Sequence, residues 1–195
     1  ENSIEKQLVS DKKLGCLLSG GLDSSIIVSI ASQYYKKTNQ KLSTFSLEFE
    51  SNEDYFSPNF YQPSSDVPYI NQMVKTFDTN HTVIQLSNQD LLDSLYKAVD
   101  ARDLPGMADI DSSLLCFCEK LKKHVDVILS GECADEIFGG YPWFRDPDVR
   151  DADGFPWAQN TDIRVSMMEQ YGDHGHEFVN DLYLDTLRDA DILPS

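Results

Sequence analysis

Between Leu14 and Leu129, short continuous apolar runs alternate with longer stretches of helical spacing. Leu14–Leu18 suits a buried strand, and Ser24–Lys37 follows with Ile26, Ile27, Ile30, Ala31 and Tyr34 spaced as one helical face. Thr44–Phe49 and His81–Leu86 read as further strands. Between them Pro68–Phe77 predicts a helix with Tyr69, Ile70, Met73, Val74 and Phe77 inward, its proline tolerated in the first turn. Asn88–Val99 predicts a helix striped by Leu91, Leu92, Leu95, Tyr96 and Val99 and capped by Ser87 or Asn88. A helix over Ser112–Lys123 and a fourth strand over Val125–Leu129 complete the series. Strands alternating with helices favour an α/β fold, a parallel sheet with helices on both faces. No internal repeat is present.

Two segments break the rhythm. Glu50–Val67 (ESNEDYFSPNFYQPSSDV) is long, polar and proline-containing, and loops of that kind inside a domain are usually functional, which places it at the rim of a site. Asp146–Ser195 shifts to 12 Asp/Glu against 3 Lys/Arg. A helix around His176–Ala190, carrying Phe178, Val179, Leu182 and Leu187, suggests a separate layer or the start of one.

Composition narrows the class. At 195 residues, 41% hydrophobic and 25% charged, the sequence reads as a soluble globular protein with room for one solid core, or one core plus an appendage. A formal net charge of -17 argues against a general nucleic-acid binder, whose affinity for the phosphate backbone comes from clustered Lys and Arg. No apolar run approaches the roughly 18 residues of a membrane span, and no leader opens the chain, so no membrane partner and a cytoplasmic location are expected. Cys16, Cys116, Cys118 and Cys133 form no CxxC pair or zinc spacing and read as reduced thiols. The sequence begins with Glu1 rather than Met, as a piece of a longer protein would.

The candidate chemistry starts at Leu17–Ile27, LLSGGLDSSII, where two glycines and an aspartate separate the first strand from its helix. In an open parallel sheet ligands bind beyond the carboxyl ends of the strands, and this loop leaves such an end. Glycines admit close approach, successive N–H groups form a nest, and the helix N-terminus adds partial positive charge, so phosphate is the natural guest. Ser19, Ser24 and Ser25 add hydroxyls. Asp23 repels phosphate unless a cation lies between them, and magnesium resolves that conflict. A plain strand-to-helix turn capped by Asp23 or Ser24 is the alternative. The loop is neither GxxxxGK[ST] nor GxGxxG, so neither a Walker ATPase nor a Rossmann dehydrogenase is indicated. A second loop, Ser130–Tyr141 (SGECADEIFGGY), also begins Ser-Gly directly after an apolar strand. Both loops should therefore project from one sheet edge and bring Asp23, Glu132 and Asp135 together. Asp23 and Asp135 are suited to magnesium, and Glu132 to acid-base work or to orienting an amine. Read by itself, the acidic run is also what a solvated helix start favours.

SGGLDSS resembles the pyrophosphate-binding loop of the N-type ATP pyrophosphatases. Together with VILSGECADEIFGGY it is similar to the synthetase domain of glutamine-hydrolysing asparagine synthetases, whose second motif commonly reads SGEGxDExFGGY. The likeness covers most of Leu14–Phe144 and implies an adenine nucleotide alpha hydrolase-like fold of PP-loop type. It also implies ATP and Mg2+ as cofactors, with aspartate, or a related carboxylate, activated as β-aspartyl-AMP. Pyrophosphate is released, and ammonia then attacks to give asparagine. Carried over by position, Ser19, Gly20, Gly21, Asp23 and Ser24 hold pyrophosphate, with Asp23 and Asp135 on magnesium. Leu17, Leu47, Ser130 and Gly131 frame the nucleotide, and Glu132 with Asp135 stands nearest the chemistry. Cys133 and Ala134 depart from the motif's usual small pair, and Cys133 is given no catalytic role.

The resemblance sets the organisation too: residues 1–145 as a partial ATP-binding synthetase domain and residues 146–195 as the acidic, helical start of its C-terminal part. The glutaminase domain is absent, so ammonia comes from outside this chain. A homodimer is implied for the full-length protein. The basic segment and the RVPF-like motif that normally follow are not found, and Arg102 and Arg145 are the nearest cations. The fragment alone is therefore expected to be inactive as a ligase. Two alternatives remain: another adenylating, amide-forming enzyme on the same scaffold, such as a β-lactam synthetase or peptide cyclase, and a nucleotide-binding module without turnover.

Overall fold

A computed structural model describes residues 2–52, 56–58, 64–103, 106–141 and 144–147. The chain divides into two compact units, residues 1–132 and 133–195. In the first unit the order is α1 (Asn2–Gln7), β1 (Leu14–Leu17), α2 (Leu22–Lys37), β2 (Ser43–Phe49), α3 (Val67–Phe77), β3 (Asn80–Leu86), α4 (Asn88–Arg102), α5 (Ala108–Leu121) and β4 (Val127–Leu129). The second unit begins with α6 (Ala134–Phe138). The helix expected around His176–Ala190, and all of the acidic segment beyond its first two residues, lie outside the described residues.

The four strands form one parallel sheet in the order β3-β2-β1-β4. Gly15 of β1 pairs with Ser43 on one side and Ile128 on the other. Alternate residues of each strand face opposite sides, and the apolar ones sort into two cores. Leu14, Cys16 and Leu18 join Leu8, Val28, Ala31, Leu42 and Ile70 under α1, α2 and α3. Phe45, Ile84 and Leu86 join Cys116, Phe117, Leu121 and Val125 under α4 and α5, with Leu17, Leu47 and Ile128 beside them. The expected parallel α/β sheet with helices on both faces is what the chain forms.

Packing changes the helical phases that periodicity suggested. α2 begins at Leu22, not Ser24, because the Ser25 amide donates to the Gly21 carbonyl at 3.1 Å and closes the first turn. Ser24, Val28, Ala31 and Ser32 are its buried positions, while Ile26 is exposed. The loop holds Ser24 inward, so the loop rather than the bulkiest side chains sets the rotation of the helix. In α3, Ile70 is buried and Met73 and Val74 pack against the core, whereas Tyr69 is exposed. α4 departs furthest from the expected stripe. It buries Ser94 and Ala98, while Leu92, Tyr96 and Val99 are 59%, 85% and 39% exposed. Small residues let α4 approach α5 closely: the Cys116 thiol donates to Ser94 Oγ at 3.0 Å, and Ser94 Oγ donates to the Asp90 carbonyl at 2.7 Å. α5 starts at Ala108 rather than Ser112. β4 starts at Val127 rather than Val125, because the Val125 amide still donates to the Leu121 carbonyl at the end of α5. α1 is too short to announce itself by period, yet its Ile4 packs on the first core.

Ser87 caps α4 as expected, and the cap is reciprocal. The Asp90 amide donates to Ser87 Oγ at 3.1 Å, and the Ser87 amide donates to Asp90 Oδ2 at 3.0 Å. Lys120 of α5 donates to Asp90 Oδ2 at 3.0 Å and to the Gln85 carbonyl at 2.8 Å, tying α5 to α4 and to the end of β3. The Ser87 backbone hydrogen bond, followed by that from Lys120, brings the Asp90 carboxyl from 3.8 down to about 2. A carboxyl depressed on folding stabilises above its unfolded pKa and loses that contribution as pH falls through the folded one. Urea denaturation should therefore show the wild type losing stability between pH 3.8 and about 2 more steeply than Asp90→Asn. At neutral pH Ser87→Ala should cost about 1 kcal/mol. Parallel pH profiles for the two proteins would remove Asp90 from the account.

Candidate functional site

The strand order locates the site before any side chain is considered. The chain steps outward from β1 to β2 to β3, then returns to lay β4 on the free side of β1. The reversal falls between β1 and β4, where a crevice opens beyond the carboxyl ends of the strands. Both Ser-Gly loops leave the sheet there.

In the first loop Gly20 has φ 81°, the left-handed region that favours glycine. A Cβ on it would lie 2.9 Å from Tyr69 Cβ and 3.0 Å from the Asp66 carbonyl oxygen, so the loop turns tightly under the start of α3. Ser19 and Ser24 lock the turn. The Ser19 amide donates to Ser24 Oγ at 3.3 Å, the two hydroxyls are 3.1 Å apart, and Ser24 Oγ donates to the Gly21 carbonyl at 3.1 Å. Gly21 occupies the cap position of α2 and no side chain caps that terminus. The N-terminal amides of a 16-residue helix are thus left without a side-chain acceptor.

In the second loop the Glu132 amide donates to Ser130 Oγ at 3.2 Å. A Cβ on Gly131 would lie 3.0 Å from Asp23 Cβ and 3.1 Å from the Ser24 amide nitrogen. The two loops therefore meet closely, and a side chain at Gly131 would require the first turn of α2 to give way slightly. Beside this junction is a cavity of about 610 Å3. Of the residues singled out from sequence, Leu17, Ser19, Leu47, Ser130 and Glu132 line it. Gly20 and Gly21 shape the loop that carries Ser19, and Gly131 packs against Asp23 and Ser24. Asn52, Phe56, Ser65, Asp66 and Val67 also line it, so the described part of the long polar loop does reach the rim.

Asp135 belongs to the second unit. There α6 is entered through Cys133 at φ 67° and left through Gly139 at φ 67°. Tyr141 donates to Glu136 Oε1 at 2.9 Å, and Arg145 to the Gly140 carbonyl at 2.7 Å. Cys133 thus holds a left-handed conformation, at a cost of roughly 1 kcal/mol for a residue with a Cβ. It stands where the similar motif commonly has glycine.

Sequence reasoning missed the apolar walls. Phe45, Ile70, Ile110, Leu114 and Phe117 line the cavity, together with Ser46 and Cys118. The alternation of β2 carried a signal for Phe45 and Ser46, but nothing in the spacing of α5 told which of its residues would overhang the strand ends. The electrostatics are also specific: among the described residues, no Lys or Arg lines the cavity. Arg102 pairs with Asp111 and Lys120 with Asp90. No group of three or more His, Cys, Asp or Glu is placed to hold a metal by itself among the described residues. No described helix is long and apolar enough to cross a membrane.

Fold and site together define a parallel α/β protein with a ligand cavity at the topological switch point of its sheet. The sequence profile of the asparagine synthase family matches residues 1–190. The glutamine-hydrolyzing asparagine synthetase 3 of Bacillus subtilis (strain 168) is 45% identical over 197 residues, covering 99% of this chain and 32% of that protein. Asparagine synthetase 1 of the same organism is 36% identical over 147 residues, 75% of this chain and 21% of its own length. Asparagine synthetase 3 of Arabidopsis thaliana is 30% identical over 154 residues, 74% and 25% respectively. A crystal structure of a universal stress protein in complex with cAMP aligns with TM-score 0.26 at 17% identity over 49% of this chain and 73% of that one, too distant to bear on the assignment. The chain belongs to the asparagine synthase family, a family of ligases, and spans about a third or less of the length of these curated relatives.

The thiols give a direct check on the cavity. Cys16 is fully buried, and burial pushes its thiol up to about 12. Cys116 is buried too, whereas Cys118 and Cys133 are exposed. Titration of the native protein with a thiol reagent should show fast reaction at Cys118 and Cys133 and slow reaction at Cys16 and Cys116. A ligand that fills the cavity should slow Cys118, which lines it. Mass-spectrometric mapping that finds Cys16 among the fast sites would contradict the packing of β1.

Proposed function

We propose that this chain supplies the ATP-binding part of the synthetase half of a glutamine-hydrolysing asparagine synthetase. The β-carboxylate of aspartate attacks the α-phosphorus of ATP, the bond to the β-phosphate breaks, and pyrophosphate leaves behind β-aspartyl-AMP. Ammonia then attacks the acyl carbon and AMP departs, giving asparagine. The observation that carries this reading is the packing of Gly131 against Asp23 and Ser24 beside a cavity large enough for a nucleoside.

Residue roles follow from position. The free amides at the start of α2, with Ser19, Gly20, Gly21, Asp23 and Ser24, hold the pyrophosphate, favoured by the positive end of the helix dipole. Leu17, Leu47, Ser130 and Gly131 frame the adenosine. Glu132, exposed on the cavity wall, receives a proton from the incoming amine or positions it. The Asp23 carboxylate makes no hydrogen bond or ion pair among the described residues, although it adjoins the phosphate loop. One or two carboxylates completed by substrate phosphates are the donor set magnesium takes, so Asp23 fits that ion; Asp135 is assigned as a further ligand from its motif position alone. Magnesium, when bound, would supply positive charge to offset Asp23 and the phosphates. Ammonia is delivered by a glutaminase domain of the longer protein, which acts as a homodimer in the cytoplasm.

Calorimetry tests the metal assignment. ATP should bind much more weakly without magnesium, and Asp23→Ala should remove most of that dependence along with most of the affinity. Asp135→Asn should weaken binding in the same direction. Equal ATP affinity with and without magnesium would defeat the role given to Asp23.

Turnover is a separate question, because developing charge on the phosphates needs cations that the described cavity wall lacks. Residues 1–195 alone should bind ATP yet show no aspartate-dependent exchange of labelled pyrophosphate into ATP, while the longer enzyme exchanges briskly. In that longer enzyme Glu132→Gln should slow asparagine formation by roughly 100- to 10,000-fold with ATP affinity kept. Product formation within about twofold of wild type would rule out the acid-base role.

A further inference from the structure

The sheet face under α3 is not uniformly apolar. Thr44 and Ser46 of β2 are buried there, and His81 of β3 lies beside them, with Thr44 and His81 paired across the strands. Thr44 Oγ1 donates to Thr79 Oγ1 at 3.0 Å, Thr44 Oγ1 is 3.0 Å from His81 Nδ1, and Ser46 Oγ is 3.2 Å from His81 Nε2. Four polar side chains in a row inside a fold are expensive unless each is satisfied, and this row is satisfied in one direction.

The direction follows from counting protons. A threonine hydroxyl has one, and that of Thr44 goes to Thr79. Thr44 must therefore accept from His81, which puts the imidazole proton on Nδ1. Neutral imidazole then has a bare Nε2, and Ser46 must donate to it. Burial holds His81 below its usual pKa, in keeping with the neutral ring. The result is a serine whose proton is committed behind it, so that toward any further partner its oxygen can only accept.

Ser46 also lines the 610 Å3 cavity, as do its chain neighbours Phe45 and Leu47 and, from the same core, Leu18 and Ile70. Among the polar residues that line that cavity in the described part of the chain, it is the one that is buried. Phosphates held at Ser19–Ser24 leave the apolar β2 side of the cavity for the base. We infer that Ser46, fixed as a hydrogen-bond acceptor by His81 and Thr44, selects a purine carrying a 6-amino donor over one carrying a 6-carbonyl acceptor. His81 is then a positioning residue that acts through Ser46. This inference rests on the nucleotide reading of the cavity. Its physical basis is that a buried acceptor left facing another acceptor keeps its desolvation cost and gains no bond.

The test compares ATP with ITP, which differ at that position, by magnesium-containing calorimetry or competition binding. Wild-type chain should prefer ATP by about tenfold or more, the selectivity expected when a site built to bond one group meets its opposite. Ser46→Ala removes a single oxygen and should bring the preference to within about threefold, with a circular dichroism spectrum like that of the wild type and a thermal midpoint lowered by the loss of the His81 partner. His81→Phe frees the Ser46 proton to point outward, so it should improve ITP relative to ATP, a change of ratio that a merely structural role would not produce. ATP binding with the same ATP-to-ITP ratio in wild type and Ser46→Ala overturns this inference alone. Failure of both nucleotides to bind overturns it together with the nucleotide reading.

Discussion

The site depends on β1 having a parallel partner on each side. Pairing with β2 and β4 places the carboxyl ends of three neighbouring strands on one edge, and the reversal of strand order between β1 and β4 leaves the crevice open there. Within that frame a single close contact matters most. Gly131 sits so near Asp23 and Ser24 that a methyl group in its place would press on the first turn of α2. Both Ser-Gly loops are thereby held in one arrangement, and the helix terminus between them keeps its amides free of side-chain caps.

The two faces of the sheet contribute differently. Under α4 and α5 the packing is apolar and reinforced at its end by Lys120, which bridges three elements. Under α3 the face carries the Thr79-Thr44-His81-Ser46 row, whose members are satisfied by one another. A satisfied polar row keeps side-chain direction fixed in a way that apolar packing does not, because each hydroxyl proton has one destination. That is why a residue within the β2 wall is able to present a defined hydrogen-bonding character to the cavity.

Charge frames the functional argument. The chain carries a net charge of -17, and among the described residues no Lys or Arg lines the cavity. The chain belongs to the asparagine synthase family and spans only about a third of its Bacillus subtilis relative. Leu92, Tyr96 and Val99 form an exposed apolar stripe on α4.

Local sequence was enough to determine the alternation of strands and helices, the parallel class of the sheet, the Ser87 cap and the two Ser-Gly loops. Each of these is written in a period, a cap residue or a contiguous motif, and such signals act over a few residues. The rotation of each helix was not legible. Ile26, Leu92, Tyr96 and Val99 have helical spacing yet face outward, while Ser24, Ser94 and Ala98 face inward. Helical spacing marks a stripe, but the choice between neighbouring stripes belongs to the loop that fixes entry or to the small residues that let two helices approach. Cavity walls were invisible for the same reason: Phe117 and Cys118 on α5 meet Ser46 on β2 and Val67 on α3 only after the chain has crossed the sheet. Tertiary structure also decided the meaning of Gly131 and Ser46. A glycine in a motif and a serine in a strand are ordinary locally, and only contact with Asp23 in one case and His81 in the other gives each its constraint.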